Sequence, residues 1–320
     1  PHVQKARHIA ALLQYDALLA AANGDTDTAI RDARVIVHLA KSIGEEPTLI
    51  SQLVRIACGR IAAHTVIQAF AWGEPRIGMA ELQAEMWAEA EVPKLLHGLL
   101  GERASIHKMF DNIENGRLSI DEVFKMIDGK APAFWQAGGM RLYKAMVPGD
   151  HAEALRYFND HIAAAKLPAH EQLAALKKIP LPPRPPDDFR YLLTSLFMPA
   201  SERVAEATIR SRAELYAASV AVAVERFRQK EGRWPTSLDE IPKDILPAIP
   251  TDPYNGEPLR FLPMPDGVAV YCVGPPPTDR DRLQKRTGPV NGDGIGWRLY
   301  DRDKRRLPPK PELVEPEIGP

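Results

Sequence analysis

The longest helical pattern in the chain is SERVAEATIRSRAELYAASVAVAVERFRQKE, residues 201–231. Ser201 can cap its first turn, and Gly232 follows its last residue, where glycine commonly ends helices. Between these ends, apolar residues recur at helical spacing and form one face; they are Val204, Ala205, Ile209, Ala213, Tyr216, Val220, Val224 and Phe227. The stretch therefore predicts one long amphipathic helix.

The residues after this helix predict short elements joined by turns. Ser237–Glu240 has the spacing of a capping box, which predicts a short second helix. Turn-forming residues then fill 250–258. Three strands are predicted, at 259–262, 268–273 and 297–300. Asp266-Gly267 indicates a hairpin between the first two strands, and Pro263 and Pro265 predict a hairpin loop longer than two residues.

Four sequence motifs follow the long helix in a fixed order: EGRWPTSLDEI, LPAIPTDPYNGEPLRF, DGVAVYCVG and NGDGIGW. This order, over residues 205–301, resembles the globular head of type II secretion pseudopilins, the major pseudopilin in particular. The matching positions are Gly232, Trp234, Pro235, Leu238, Asp252, Pro253, Tyr254, Gly256, Pro258, Tyr271, Gly274, Gly296 and Trp297. The resemblance implies a pseudopilin-like domain, a long helix plus a short antiparallel sheet, at 201–305.

The region before Ser201 departs from the pseudopilin pattern. It has neither a prepilin-peptidase site nor the hydrophobic N-terminal helix that packs into the filament. A pseudopilin-like head fused to another domain is therefore a better interpretation than a filament subunit. The same fusion looks like a group of uncharacterised bacterial envelope proteins, which implies an extracytoplasmic location in the periplasm or cell envelope.

Proline divides the chain. Of its 30 prolines, 7 lie in the first 170 residues and 23 in the last 150. The run IPLPPRPP at 179–186 has five prolines in eight residues and predicts a stiff, extended spacer. The predicted organisation is α+β, with four parts: a helical domain at 1–178, a proline-rich linker at 179–200, the head at 201–305 and an extended tail at 306–320.

The first part has the pattern of packed helices. A helix is predicted at 6–22, and Asn23-Gly24 ends it. Asp25 can cap the next helix. The segment 18–40 looks like one tetratricopeptide-type helical hairpin, but no second copy follows at a 34-residue period. An antiparallel bundle is therefore favoured over a solenoid. A further helix at 81–100 is expected to break or kink near Pro93.

Composition excludes several classes of protein. With 41 basic and 42 acidic residues, the chain has no basic surplus for nucleic acid. Its two cysteines, Cys58 and Cys272, lie in different halves, so no disulfide framework is expected. The longest apolar stretch, 215–224, is half of the roughly 20 residues that a membrane span needs. The sequence begins at Pro1 without methionine, which favours a processed or trimmed chain from which a signal peptide or anchor was removed.

A calcium site is implied by the resemblance. In the major pseudopilin, a loop before the last strand binds calcium, and the equivalent stretch here is 274–296. Its oxygen-bearing candidates are Asp279, Asp281, Asn291 and Asp293. Interspersed arginines and lysines weaken this assignment, and no other cofactor is expected.

Other motifs favour structural interpretations. Asp111–Glu122 matches an EF-hand loop in part, but Ile113 stands where a ligand oxygen belongs. A capping box at Ser119–Glu122 explains the same residues without metal. His170-Glu171 begins like a zinc-protease motif, but Ala174 replaces the second histidine. The histidines on helices are interpreted as surface or satisfied core residues, and no catalytic residue is predicted.

Three functional hypotheses remain. The favoured one is a non-enzymatic scaffold or protein-binding component of the bacterial cell envelope, with a protein partner. The alternatives are a hydrolase-type enzyme with its site in a cleft between the two halves, and a calcium-stabilised binding module. A pocket with clustered carboxylates or histidines would favour the enzyme, and a groove lined by apolar helix faces would favour the scaffold. The sequence leaves the partner and the oligomeric state open.

Overall fold

The computed structural model describes residues 2–126, 139–182, 189–198, 201–275 and 294–305. The residues that it describes are mostly helical (67%), with a small three-stranded antiparallel sheet. This composition agrees with the predicted α+β class. Among the residues that the structure describes, none of the helices combines the length and apolar composition needed to cross a membrane.

The elements follow one another in a helical series that ends in the sheet. The helices are α1 His2–Ala22, α2 Thr26–Ser42, α3 Leu49–Trp72, α4 Met79–Glu91, α5 Lys94–Glu114, α6 Ile120–Met126, α7 Gly139–Ala165, α8 Ala169–Leu176, α9 Leu192–Phe197 and α10 Ser201–Glu231. The strands are β1 Arg260–Met264, β2 Gly267–Cys272 and β3 Ile295–Tyr300. Short 3-10 turns lie at Leu238–Glu240 and Arg302–Lys304.

Local signals in the sequence set the helix ends as predicted. The turn after α1 places Gly24 at a φ of +90°, a conformation that glycine adopts without strain. The Asp25 carboxylate then accepts the Thr28 backbone N–H at 3.0 Å and caps α2. The predicted break near Pro93 is a full separation, because α4 ends at Glu91 and α5 begins at Lys94. The long helix predicted at 201–231 is confirmed as α10.

The sheet has the order β1-β2-β3, with both pairs antiparallel. Met264 pairs with Gly267, so only Pro265 and Asp266 lie between the strands. The prediction of a longer hairpin loop was wrong. Because β1 is an edge strand, Pro263 can stand in it without removing a bond from the interior of the sheet.

Two other predictions need correction. The residues 238–240 form a 3-10 turn, and Ser237 does not cap it. Glu240 instead accepts the backbone N–H of Thr236 at 2.6 Å and its hydroxyl at 2.9 Å, one residue before the predicted cap. The segment predicted as a linker contains α9, whose Leu192 and Leu193 are buried. Residues 179–182 of the predicted extended spacer are in neither a helix nor a strand, and its other residues, 183–186, lie outside the described residues.

Helix α10 belongs to both hydrophobic clusters of the fold. The first cluster joins α1–α4, most of α10 and the sheet. The second joins α5–α9 with the start of α10, at Val204 and Ala205. The division between the clusters thus does not coincide with the predicted boundaries at 178 and 201.

Buried ion pairs fasten the sheet region to the helices. The Arg305 guanidinium donates to Glu225 on α10 at 2.8 and 3.0 Å and to the Gly73 carbonyl at 2.8 Å. Burial alone would raise the pKa of Glu225, but hydrogen bonds from Arg228 and Arg305 hold it below its usual value. Arg60 on α3 likewise pairs with Glu214 on α10 at 2.7 Å.

Candidate functional site

A groove lies between α4, α10 and the loop at 244–248. This α4 groove has a volume of about 530 Å³. Its lining residues are Ala80, Gln83, Ala84, Trp87, Ser219, Arg226, Asp244, Ile245, Pro247 and Ala248. The volume lies within the range of protein sites that bind small ligands or short segments.

The α4 wall of the groove is apolar, and most of it is formed by small side chains. Ala80 and Ala84 are exposed and lie one helical turn apart, so they share a face of α4. Trp87 is half-buried on the same side, and its ring lies 5.5 Å from that of Tyr216 on α10. Small side chains leave the helix backbone accessible to an approaching segment, while the indole supplies a rigid apolar surface.

The polar groups of the groove floor bind one another. The Gln83 side chain donates to the Ile245 carbonyl at 2.7 Å and accepts from Arg226 at 2.7 Å. The Ser219 hydroxyl donates to the Gln83 carbonyl at 3.0 Å. These bonds use the Gln83 amide, the Ser219 hydroxyl and one nitrogen of the Arg226 guanidinium, and the opening of the groove presents mainly apolar surface.

A second hollow, the α8 cleft, lies where the enzyme hypothesis predicts a site between the two halves. Its volume is about 290 Å³. Its lining residues are Glu91, Pro168, Ala169, His170, Arg212, Tyr216, Thr251, Asp252, Pro253 and Gly256. The cleft therefore brings together one histidine, two carboxylates and a guanidinium.

The carboxylate of Asp252 is occupied by backbone. It accepts the N–H of Tyr254 at 2.8 Å and that of Val273 at 2.6 Å. The backbone carbonyl of Asp252 accepts the Gly256 N–H at 2.8 Å. Asp252 thus holds the Asp-Pro-Tyr turn against the end of β2, a structural role.

The other acid–base groups of the α8 cleft are also engaged. The Tyr216 hydroxyl donates to Glu91 at 2.6 Å, and burial raises the pKa of this tyrosine. The ring of His170 covers Gly256 so closely that a Cβ there would lie 2.9 Å from it. None of the lining side chains is a serine, cysteine or lysine. The nearby Cys272 is buried, which raises its thiol pKa and keeps it protonated.

An ion cluster lies behind the C-terminal end of α4. Glu89 is fully buried and pairs with Arg55 at 2.7 Å and with Lys94 at 3.1 Å. Burial lowers the pKa of Lys94 to about 8, even though Glu89 opposes the shift. Arg55 also donates to the Gly44 carbonyl at 2.7 Å, so the cluster joins three segments of the helical region.

The predicted calcium candidates Asp279, Asp281, Asn291 and Asp293 lie outside the described residues. The capping box predicted within the EF-hand-like segment is confirmed. Ser119 and Glu122 form the reciprocal bonds of a capping box, with the Ser119 N–H donating to Glu122 at 2.7 Å. Within the described ranges, no group of three or more histidine, cysteine or acidic side chains is arranged to hold a metal.

The helical histidines lie in ordinary surroundings. His161 is buried with its Nδ1 2.8 Å from the Tyr157 carbonyl, and burial lowers its pKa. His107 is exposed and contacts His151 at 2.9 Å.

The sequence analysis did not predict the α4 groove. Its signal in the sequence is two alanines at a four-residue spacing followed by a tryptophan.

Comparison with models of known protein families, with curated proteins and with solved structures finds no match for this chain. The resemblance of residues 205–301 to pseudopilin heads therefore stays a prediction from the sequence. What the chain binds must be inferred from its own geometry.

Proposed function

We propose that the protein is a non-enzymatic scaffold or protein-binding component of the bacterial cell envelope, and that its α4 groove binds an apolar segment of a partner protein. The observation that carries this proposal is the groove of about 530 Å³ with apolar walls and a floor in which Gln83 and Ser219 are hydrogen-bonded within the protein. An apolar segment gains from leaving water there without displacing any existing hydrogen bond.

The shape of the α4 wall favours a helical partner segment. Ala80 and Ala84 allow close approach of a second helix, while Trp87 supplies the large contact surface that is typical of binding hot spots. Polar atoms of the partner are expected at the rim, where Asp244 is exposed. The envelope location rests on the resemblance of the fused helical region and head to a group of uncharacterised bacterial envelope proteins.

The α8 cleft supports the enzyme alternative less well. Asp252 uses both of its carboxylate oxygens to accept backbone N–H groups, so it is not available as a general base without breaking a structural bond, and Glu91 holds the Tyr216 hydroxyl through one of its two oxygens. Substrate turnover by the purified protein that is lost on a single side-chain change in this cleft would contradict the scaffold proposal.

The groove is tested by placing a photo-cross-linking amino acid at position 84. The protein that it captures is then purified and titrated against this chain, with Trp87 fluorescence as the readout. We expect Ala84→Arg to weaken binding at least about tenfold, since a charged side chain would occupy the apolar opening.

Ala104→Arg is the matched control, because Ala104 is exposed on α5, away from the groove lining. It should leave the affinity unchanged. Equal affinities for the wild type and Ala84→Arg would overturn the assignment of the groove, even if a partner is found.

The calcium prediction has a separate check: a melting temperature that is the same in excess calcium and in chelator would contradict it.

A further inference from the structure

Helix α1 has an inverted distribution of apolar side chains. The residues that α1 buries most completely are small, namely Ala10, Ala17 and Ala21, and Val3 and Leu13 are partly buried against the same core. The large apolar residues instead face solvent and form what we call the α1 stripe: Ile9 (47% exposed), Leu12 (68%), Tyr15 (71%) and Leu19 (62%). A surface helix ordinarily buries its large apolar residues, so this face lacks a partner within the described residues.

The α1 stripe forms one continuous surface. At about 100° per residue, its four side chains lie within an arc of roughly 120° on the helix. Alternating spacings of four and three residues, the pattern of a coiled-coil seam, connect Lys5, Ile9, Leu12, Asp16 and Leu19. A contiguous exposed apolar surface of this kind marks a protein interaction site.

The charged residues of the stripe are placed so that two antiparallel copies of α1 bring opposite charges together. If two α1 helices pair antiparallel about a two-fold axis between positions 10 and 11, Ile9 of one copy faces Leu12 of the other. In the same register, Lys5 of one copy faces Asp16 of the other, and this contact occurs twice. Lys5 and Asp16 are both exposed, and neither forms an ion pair among the described residues.

The acidic end of the stripe carries unrelieved negative charge. Asp32 on α2 has a buried carboxylate oxygen without a hydrogen-bond partner among the described residues. Burial and the neighbouring charge of Asp16 raise the pKa of Asp32, although Arg31 opposes this shift. A lysine delivered beside Asp16 would therefore relieve the repulsion between two carboxylates.

We propose that two copies of the chain associate through the α1 stripe in this antiparallel, two-fold arrangement. A two-fold interface uses one self-complementary surface, which the stripe supplies. This surface is distinct from the α4 groove, so the dimer and the proposed function can be tested independently of each other.

The mass of the protein in solution is the first test. Sedimentation velocity over about 1–100 µM should give twice the 35.5 kDa of one chain. Leu12→Glu should give the mass of one chain, because it places a charge at the centre of the interface. Ile50→Glu is the matched control, since Ile50 is 67% exposed on α3, and it should stay dimeric.

Charge reversal tests the register. Lys5→Glu or Asp16→Lys alone should raise the dimer dissociation constant at least about tenfold, because each places like charges together twice. Both substitutions in one chain should restore the wild-type value, since the two charges then exchange places and opposite charges face each other again. Circular dichroism checks that α1 stays helical in each variant.

Several results would overturn the proposal. One is a wild-type mass of a single chain at every concentration, including the case in which the stripe binds lipid vesicles instead. Another is a dimer that survives Leu12→Glu. Failure of the double charge reversal to restore association would overturn the antiparallel register.

Discussion

The α4 groove and the α8 cleft lie on different parts of the same two helices, α4 and α10, yet they differ in chemistry. The cleft gathers His170, Arg212, Glu91 and Asp252, the residue types from which catalytic sites are built. The groove has Gln83, Ser219 and Arg226 in its floor and apolar side chains along its walls. Residue type alone would make the cleft the functional site.

The hydrogen bonds favour the α4 groove over the α8 cleft instead. Both carboxylates of the α8 cleft are used to fix a turn or to hold Tyr216. In the α4 groove, Gln83 and Ser219 in the floor are hydrogen-bonded within the protein, and the apolar walls remain free for a partner. A pocket should therefore be judged by the hydrogen-bond donors and acceptors in it that have no partner within the protein. Groups that already hold the fold together cannot bind a ligand without a cost in stability.

The largest expected effect comes from Asp252→Ala. It removes the acceptor of two backbone N–H groups, so we expect the free energy of unfolding to fall by about 3 kcal/mol. Urea denaturation followed by circular dichroism measures this change. Asp244→Ala at the exposed rim of the groove is the control and should change stability by less than about 0.5 kcal/mol. A stable Asp252→Ala protein would show that the cleft carboxylate is free for chemistry.

Lys94, in the ion cluster behind α4, predicts a dependence of stability on pH. Its pKa in the folded protein is about 8, below the value of an unfolded lysine. Between these two values the unfolded chain binds the extra proton, so stability should rise with pH by about 3 kcal/mol from this group. The gain is absent below about pH 8 and complete above the unfolded pKa.

Lys94→Met isolates that contribution. Urea denaturation of both proteins at several pH values between about 7.5 and 10.5 gives the two slopes. The wild type should gain stability over this range relative to the variant. Parallel slopes would mean that Glu89 keeps Lys94 fully charged, and that burial of the cluster has no net effect on its titration.

Gly256→Ala tests the contact that closes the α8 cleft. Gly256 has a φ of +79°, and a Cβ would lie 2.9 Å from the His170 ring. We expect a loss of about 2 kcal/mol, of which about 1 is backbone strain. Gly232→Ala is the control for strain alone, because its φ is +75° and nothing lies within 4 Å. If the two variants lose equal stability, or if His170→Ala does not recover the difference, His170 does not pack against the turn.

Elements whose signals are local could be predicted from the sequence. The cap at Asp25 and the glycine after Glu231 act within a turn of helix, so they mark helix ends in any context. Prediction failed where a choice depended on neighbours. Ser237 and Thr236 can both serve Glu240, and only the packed turn selects Thr236. Two prolines near the hairpin suggested a long loop, although an edge strand accommodates one of them.

The orientation of helical faces could not be predicted either. Helical spacing identifies Ile9 and Leu12 as belonging to one face of α1, but it does not say whether that face is covered. The α4 groove was missed for a related reason. Its walls come from α4 and from a loop about 160 residues later in the chain, and the hydrogen bond from Gln83 to Ile245 that joins them has no local signal.

The smallest expected effect is that of Ala84→Arg on stability. Ala84 is exposed and arginine is nearly as good a helix former as alanine, so the free energy of unfolding should change by less than about 0.5 kcal/mol. Urea denaturation of this variant and of Asp252→Ala makes the comparison direct: a substitution in the cleft lowers the stability of the protein, while a larger one in the groove leaves the stability nearly unchanged. A loss above about 1 kcal/mol would mean that the groove wall supports the fold. Weaker partner binding by Ala84→Arg could then no longer be assigned to a free surface.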